Sequence, residues 1–96
     1  MPAYLIAEIE VQDGERYEEY RQRVPATIAA HGGKYLARGG DVENLEGGRV
    51  PRRTVILEFE SLERARQWWV SDEYGALKEL RRSASVGNIM LVDGLP

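Results

Sequence analysis

Apolar residues recur at every second position near the start of the chain and at every third or fourth position soon after. Leu5, Ala7, Ile9 and Val11 alternate with Tyr4, Ile6, Glu8 and Glu10. That is the period of a strand whose two sets of side chains point opposite ways. Both sets begin apolar, and the second turns acidic toward its end. Asp13 then predicts a helix N-cap, because its carboxylate can accept from the free amides of a first turn. Tyr17, Tyr20, Val24 and Ile28 follow at helical spacing. Pro25 falls inside this stripe, removes one backbone bond, and predicts a kink or a break between Arg21 and Val24. Gly32-Gly33 closes the helix with a C-cap.

Lys34 to Arg38 reads as a short strand that Gly39-Gly40 breaks or bulges. Asp41 to Glu46 is expected to resume it as an edge, and Gly47-Gly48 turns the chain. The next strand is the clearest, with Val55, Leu57 and Phe59 on one face and Thr54, Ile56 and Glu58 on the other. Ser61 predicts the cap of a second helix with Leu62, Ala65 and Trp69 inward. Ser71 predicts the cap of a third, with Tyr74, Leu77, Leu80 and Ala84 on its buried side. Gly87-Asn88 is expected to turn into a last strand, Ile89 to Val92.

The resulting order, β-α-β-β-α-α-β, is the ferredoxin-like split βαβ of the α+β class. Right-handed crossovers put the helices on one face of a four-stranded antiparallel sheet. Tyr4, Ile6, Ile56, Met90 and Val92 are left on the other face, an apolar patch that a twofold homodimer would cover by pairing two sheets.

The totals narrow the class without naming a reaction. Ninety-six residues make a single domain spanning 1–96. At this length a chain buries about 60–65% of its unfolded surface, so a partner subunit is a natural supplement. Charged residues make up 30% and apolar ones 43%, as in ordinary globular proteins. Met1-Pro2-Ala3 runs straight into the first strand without a basic flank or apolar core, so no signal peptide is expected and the cytoplasm is the expected location. No apolar run approaches the roughly 20 residues of a membrane span. A net charge of −3 argues against nucleic acid and acidic membranes as partners. The absence of cysteine excludes disulfides and thiolate chemistry.

Several motifs in this order and spacing resemble a known family. They are Tyr17-x-x-Tyr20, His31-Gly32-Gly33, Arg38-Gly39-Gly40, Leu45-Glu46-Gly47, Arg53, Glu58-Phe59, Trp69, Ser71-x-x-Tyr74 and Arg81. Together they resemble domain-of-unknown-function family 1330, of the dimeric α+β barrel superfamily, over nearly the whole chain. The resemblance implies the same face-to-face dimer that the alternation suggests. Relatives in that superfamily include cofactor-free monooxygenases, haem-handling enzymes and small-molecule isomerases. The resemblance adds fold and little chemistry.

Candidate chemistry gathers around a few residues, each with a structural alternative. Arg38 and Arg53 flank the glycine-rich segment and could grip a carboxylate or phosphate through paired bonds. They could equally pair with Glu46 and pin the loop. His31, the one histidine, could move protons near neutral pH or simply suit the carbonyls at a helix C-terminus. Alone, without a second ligand, it does not predict zinc or haem. Glu8 and Glu58 fall among apolar neighbours on the outer sheet face, where burial raises a carboxyl's pKa; Glu8 is expected to meet Arg52 or Thr54 across the strands. Tyr17, Tyr20, Trp68, Trp69 and Tyr74 are core by burial tendency. A pocket lined by Tyr17, Trp69 and Tyr74 with Arg38 at its mouth is the functional alternative. Arg52-Arg53 and Arg81-Arg82 are too dispersed for a nucleic-acid footprint.

These residues support a homodimer binding a small anionic or aromatic molecule. Arg38 would anchor the anion, with Arg53, Tyr17 and Trp69 beside it. His31 or Glu58 would transfer protons, and Tyr20 or Tyr74 would orient the ligand, with no cofactor and no metal. A non-enzymatic structural or sensing module, and a cofactor-free monooxygenase, stand as alternatives.

Overall fold

A computed structural model describes residues 1–96. Seven elements follow one another: β1 (Ala3–Val11), α1 (Gly14–Ala30), β2 (Lys34–Arg38), β3 (Arg53–Phe59), α2 (Leu62–Trp69), α3 (Asp72–Ala84) and β4 (Ser85–Asp93). The strands form one antiparallel sheet in the order β2-β3-β1-β4. The α+β, ferredoxin-like architecture expected from the alternation is the one observed.

The core lies between the sheet and the three helices. Leu5, Ile9, Leu57 and Phe59 from the strands are buried against Val24, Ile28, Trp68 and Leu77 from the helices. The strand register sets what faces outward. Ile56, Ile6 and Met90 stand opposite one another across β3, β1 and β4, and Ala37 extends that row on β2. Each helix starts where a side-chain oxygen satisfies a first-turn amide. Asp13 accepts from the Arg16 amide, Ser61 from Arg64 and Ser71 from Tyr74.

Four local expectations are corrected. Helix α1 runs unbroken through Pro25. The carbonyl that proline leaves without an amide, that of Arg21, accepts instead from the Arg38 guanidinium, which removes the penalty that would otherwise favour a break. Residues 41–46 form no strand. After Gly39 turns at φ +72° the segment departs as an open loop, tied back by an ion pair between Arg49 and Glu8. Trp68, not Trp69, is the deeply buried indole of α2. Both fit helical spacing from Ala65, and the difference is made by Thr27, whose hydroxyl accepts from the Trp68 indole at 3.0 Å. Finally, β4 begins at Ser85, so Gly87-Asn88 lies inside a strand. Gly87 pairs with Ile9, and a β-carbon there would collide with the Glu8 carbonyl. This glycine marks a close backbone approach, not a turn.

Candidate ligand-binding site

Helices α1 and α3 pack against each other above the sheet, and a cavity of about 40 Å³ remains beneath them. By the measure in which one water needs roughly 10–15 Å³, this is room for about three waters. Leu5, Ala7 and Leu57 form its sheet-side floor, while Tyr17, Tyr20, Trp68, Trp69 and Tyr74 supply aromatic walls. The charged residues that line it are all arginines: Arg21, Arg38, Arg53 and Arg81. Only Arg21 has a carboxylate partner, Glu18, at 2.8 Å.

Each of the other three is held by the fold without being neutralised. Arg38 reaches from the end of β2 to the Arg21 carbonyl and lies over the Tyr35 ring at 4.6 Å. Arg53, at the start of β3, donates from Nε to the Tyr17 hydroxyl at 3.2 Å, 5.3 Å from that ring's centre. Its guanidinium passes over Gly39, where any β-carbon would meet it. Arg81, on the inner side of α3, donates from Nε to the Tyr74 hydroxyl at 3.3 Å. The Tyr74 and Tyr20 hydroxyls lie 2.9 Å apart, which completes a buried chain from α1 to Arg81. Stacking of a guanidinium on a ring orients it and leaves its edge nitrogens open to a ligand.

Burial, then the neighbouring Tyr74, push the Tyr20 hydroxyl well above the ordinary tyrosine range, while Arg81 pulls weakly the other way. Burial likewise raises Tyr35 against the opposing pull of Arg38. At neutral pH both hydroxyls are therefore hydrogen-bonding groups, not bases. Just outside, the Lys78 ammonium lies 4.3 Å over the Trp69 ring. Loss of water, then repulsion from Arg82 and Arg81, lower its pKa.

The fold gathers six of the eight residues singled out in the sequence: Tyr17, Tyr20, Arg38, Arg53, Trp69 and Tyr74 line one cavity. His31 and Glu58 are not among them. His31 is the C-cap of α1, its Nδ1 3.0 Å from the Thr27 carbonyl. Glu58 stands opposite Tyr4 on the outer sheet face, 3.5 Å from the Lys34 ammonium. Neither Arg38 nor Arg53 pairs with Glu46, which is exposed in the loop. Glu8 stands opposite Thr54 as expected but pairs with Arg49, leaving Arg52 to Glu10 at 3.8 Å. No cluster of three acidic or histidine side chains is placed to hold a metal ion, and no helix is long and apolar enough to cross a membrane.

Arg81, Trp68 and Tyr35 also line the cavity and were not expected there. Arg81 had a signal: it falls four residues after Leu77 and seven after Tyr74, within the apolar stripe of α3. A charge at a stripe position points inward and needs a reason.

A family model described as a domain of unknown function (DUF1330) matches residues 2–95. No curated protein matches the chain. Among solved structures, a protein of unknown function from Rhodopseudomonas palustris superposes with a TM-score of 0.77 at 18% identity, covering 99% of this chain and 82% of its own. A dimeric ferredoxin-like protein of unknown function from a Jannaschia species gives 0.69 at 14% identity, with both chains fully covered. SnoaB, a cofactor-independent oxygenase from Streptomyces nogalater, gives 0.67 at 12% identity, covering 99% of this chain and 94% of its own. At these identities the likeness is one of fold.

Proposed function

We propose that this protein, which belongs to the DUF1330 family, binds a small organic anion with an aromatic or other apolar body at the cavity beneath its helices. The observation that carries this reading is the charge of the lining. Arg38, Arg53 and Arg81 stand, beside the Glu18-paired Arg21, at an otherwise apolar and aromatic site whose lining holds no carboxylate. Holding unneutralised guanidinium groups together costs free energy unless a ligand supplies the counter-charge. Aromatic walls add contact area for a flat, apolar body.

The lining favours binding or sensing over acid–base catalysis. It contains neither imidazole nor carboxylate, and its Tyr20 and Tyr35 hydroxyls are held protonated. An oxygenase reading borrows only the fold of SnoaB. We also propose that the protein works as a homodimer paired through the open sheet face. The in-register apolar row Ala37, Ile56, Ile6 and Met90 supports this.

Titration of nitrogen-15-labelled protein with 2-naphthoate, followed by nuclear magnetic resonance, tests the ligand reading. 2-Naphthalenemethanol serves as the uncharged control. The carboxylate is expected to bind at least tenfold tighter, with saturable shifts of the Trp69 indole N–H and of amides around Arg38 and Arg53. Equal affinity for the two compounds would show that the arginines do not select an anion.

A further inference from the structure

Arg81 touches more than one space. The cavity beneath the helices and a larger groove at the C-terminal end of α3 share three lining residues: Trp69, Arg81 and Ile89. The outer groove, completed by Arg82, Ser85 and Gly87 among others, has a volume of about 380 Å³, against about 40 Å³ for the inner cavity. By the same measure the inner cavity takes about three waters and the outer groove on the order of thirty. A ligand with a ring system and an acid group exceeds the first and fits the two together.

We propose that these spaces are two compartments of one binding site, with Arg81 as the anchor between them. The apolar end of the ligand enters the inner cavity beside Trp69 and Tyr74, and its carboxylate or sulfonate lies in the outer groove on Arg81. The class of ligand this describes is an elongated aryl or alkyl acid. The inference rests on the ligand reading above and adds the end at which the anion sits.

Three observations carry it. Arg81 is the one charged residue that is buried, with 9% of its surface exposed. Its Nε is taken by Tyr74, its terminal nitrogens bond no protein atom, and no buried side-chain nitrogen or oxygen lacks a partner. Those terminal nitrogens therefore open onto space, in a side chain that is otherwise enclosed. The outer groove also presents no carboxylate of its own. It is lined by Arg82, and the Lys78 ammonium lies above Trp69 on the same helix face. Arg82 is paired at the surface with Glu79 at 2.9 Å; Arg81 has no such partner. Arg53 likewise gives only its Nε, to Tyr17, and Arg38 a single terminal nitrogen, to the Arg21 carbonyl, but both are only half-buried and neither lines the outer groove. A buried donor pair left open at the junction of two cavities is suited to a bidentate acid group.

The same 2-naphthoate titration separates this inference from the reading beneath it. Arg81→Gln is expected to weaken 2-naphthoate tenfold or more and to leave 2-naphthalenemethanol unchanged. Arg82→Glu, a surface substitution that leaves the core untouched, is expected to weaken the acid at least threefold through its charge alone. Amides of Arg81 to Ile89 should shift more on binding the acid than on binding the alcohol. If Arg38→Gln abolishes the preference for the acid while Arg81→Gln and Arg82→Glu leave it intact, the anion lies at the opposite end. That outcome overturns the two-compartment site and leaves the ligand reading standing. No saturable shift at any lining residue overturns both.

Discussion

Gly39 adopts a φ of +72°, and a β-carbon there would meet the Arg53 guanidinium, so two separate constraints ask for glycine. The backbone constraint costs an L-residue roughly 1–2 kcal/mol. The steric one falls on the flexible end of a side chain, so Arg53 would swing aside instead of unfolding the protein. Gly39→Ala is expected to lose about 1–2 kcal/mol in urea denaturation and to weaken acid binding by displacing Arg53 from Tyr17. Gly40→Ala, whose β-carbon meets nothing, should stay within about 0.5 kcal/mol. Equal losses for the two would remove the case that Gly39 positions the arginine. Tyr20 makes a second prediction at this scale. Its pKa is raised in the folded state by burial and Tyr74, so its contribution is complete below about pH 10, the ordinary tyrosine range. That contribution is lost as pH climbs from there toward the folded value, because only the unfolded chain releases the proton. Stability should fall by about 1.4 kcal/mol per pH unit through this group above pH 10. Tyr20→Phe should flatten the slope by that amount in urea melts taken from pH 9 to 11. An unchanged slope would show that the hydroxyl titrates normally.

At the scale of elements, Pro25 and Arg38 are one device. The proline leaves the Arg21 carbonyl without its helical donor, and Arg38 from β2 supplies one. The bond ties the start of the loop to the middle of α1 and spares the helix a break. Pro25→Ala restores the amide, so Arg38→Ala should cost less in that background than in the parent protein. A coupling of about 1 kcal/mol is expected from a double-mutant cycle by urea denaturation. Additivity within about 0.3 kcal/mol would mean that the contact carries no stability. This device also shows why the sequence was readable in some places and not in others. Alternation in β1 and β3, and capping at Asp13, Ser61 and Ser71, are local, and they gave the order of elements and the sheet. The rescue of Pro25 depends on Arg38, 17 positions from the Arg21 carbonyl it meets, and local spacing carries no trace of it. Trp68 and Trp69 both fit the stripe of α2; the choice was made by a hydroxyl on α1. Gly87 is a turn signal by composition, but its role comes from the Glu8 backbone of a strand far off in sequence. The site followed the same rule. Six of its residues were legible because aromatics and arginines stood at patterned positions. His31 lies outside this cavity, and its place at a helix end, one of its two readings from sequence, gives it a backbone carbonyl to hold.

The whole molecule is a slab of 33 × 32 × 17 Å, one helical layer on one sheet, and a two-layer slab buries only one face of that sheet. The outer face is not an ordinary polar surface. Ile6 at its centre stands between Ile56 and Met90, and Tyr4 in the next row stands between Glu58 and Val92. Met90 and Val92 are 54% and 45% exposed. The charged residues lie at the margins of this strip: Glu58 with Lys34, Glu8 with Arg49, and Glu10 with Arg52. A dry centre with a charged rim is the anatomy of a stable interface. Antiparallel strands tolerate solvent on one face when that face alternates to polar, and here the alternation stays apolar through the middle rows. A twofold pairing brings Ile6 of one subunit near the same row of the other, so one charge placed there is doubled in the assembly and desolvated. Ile6→Glu should therefore convert a dimer to a monomer in sedimentation equilibrium. A glutamate introduced at an exposed helix position, Gln22→Glu, should leave the mass unchanged. The thermal midpoint of the parent protein should rise with concentration, as dissociation coupled to unfolding requires, and that of Ile6→Glu should not. A parent protein that sediments as a monomer at high micromolar concentration would leave the apolar row without a partner and sink the homodimer.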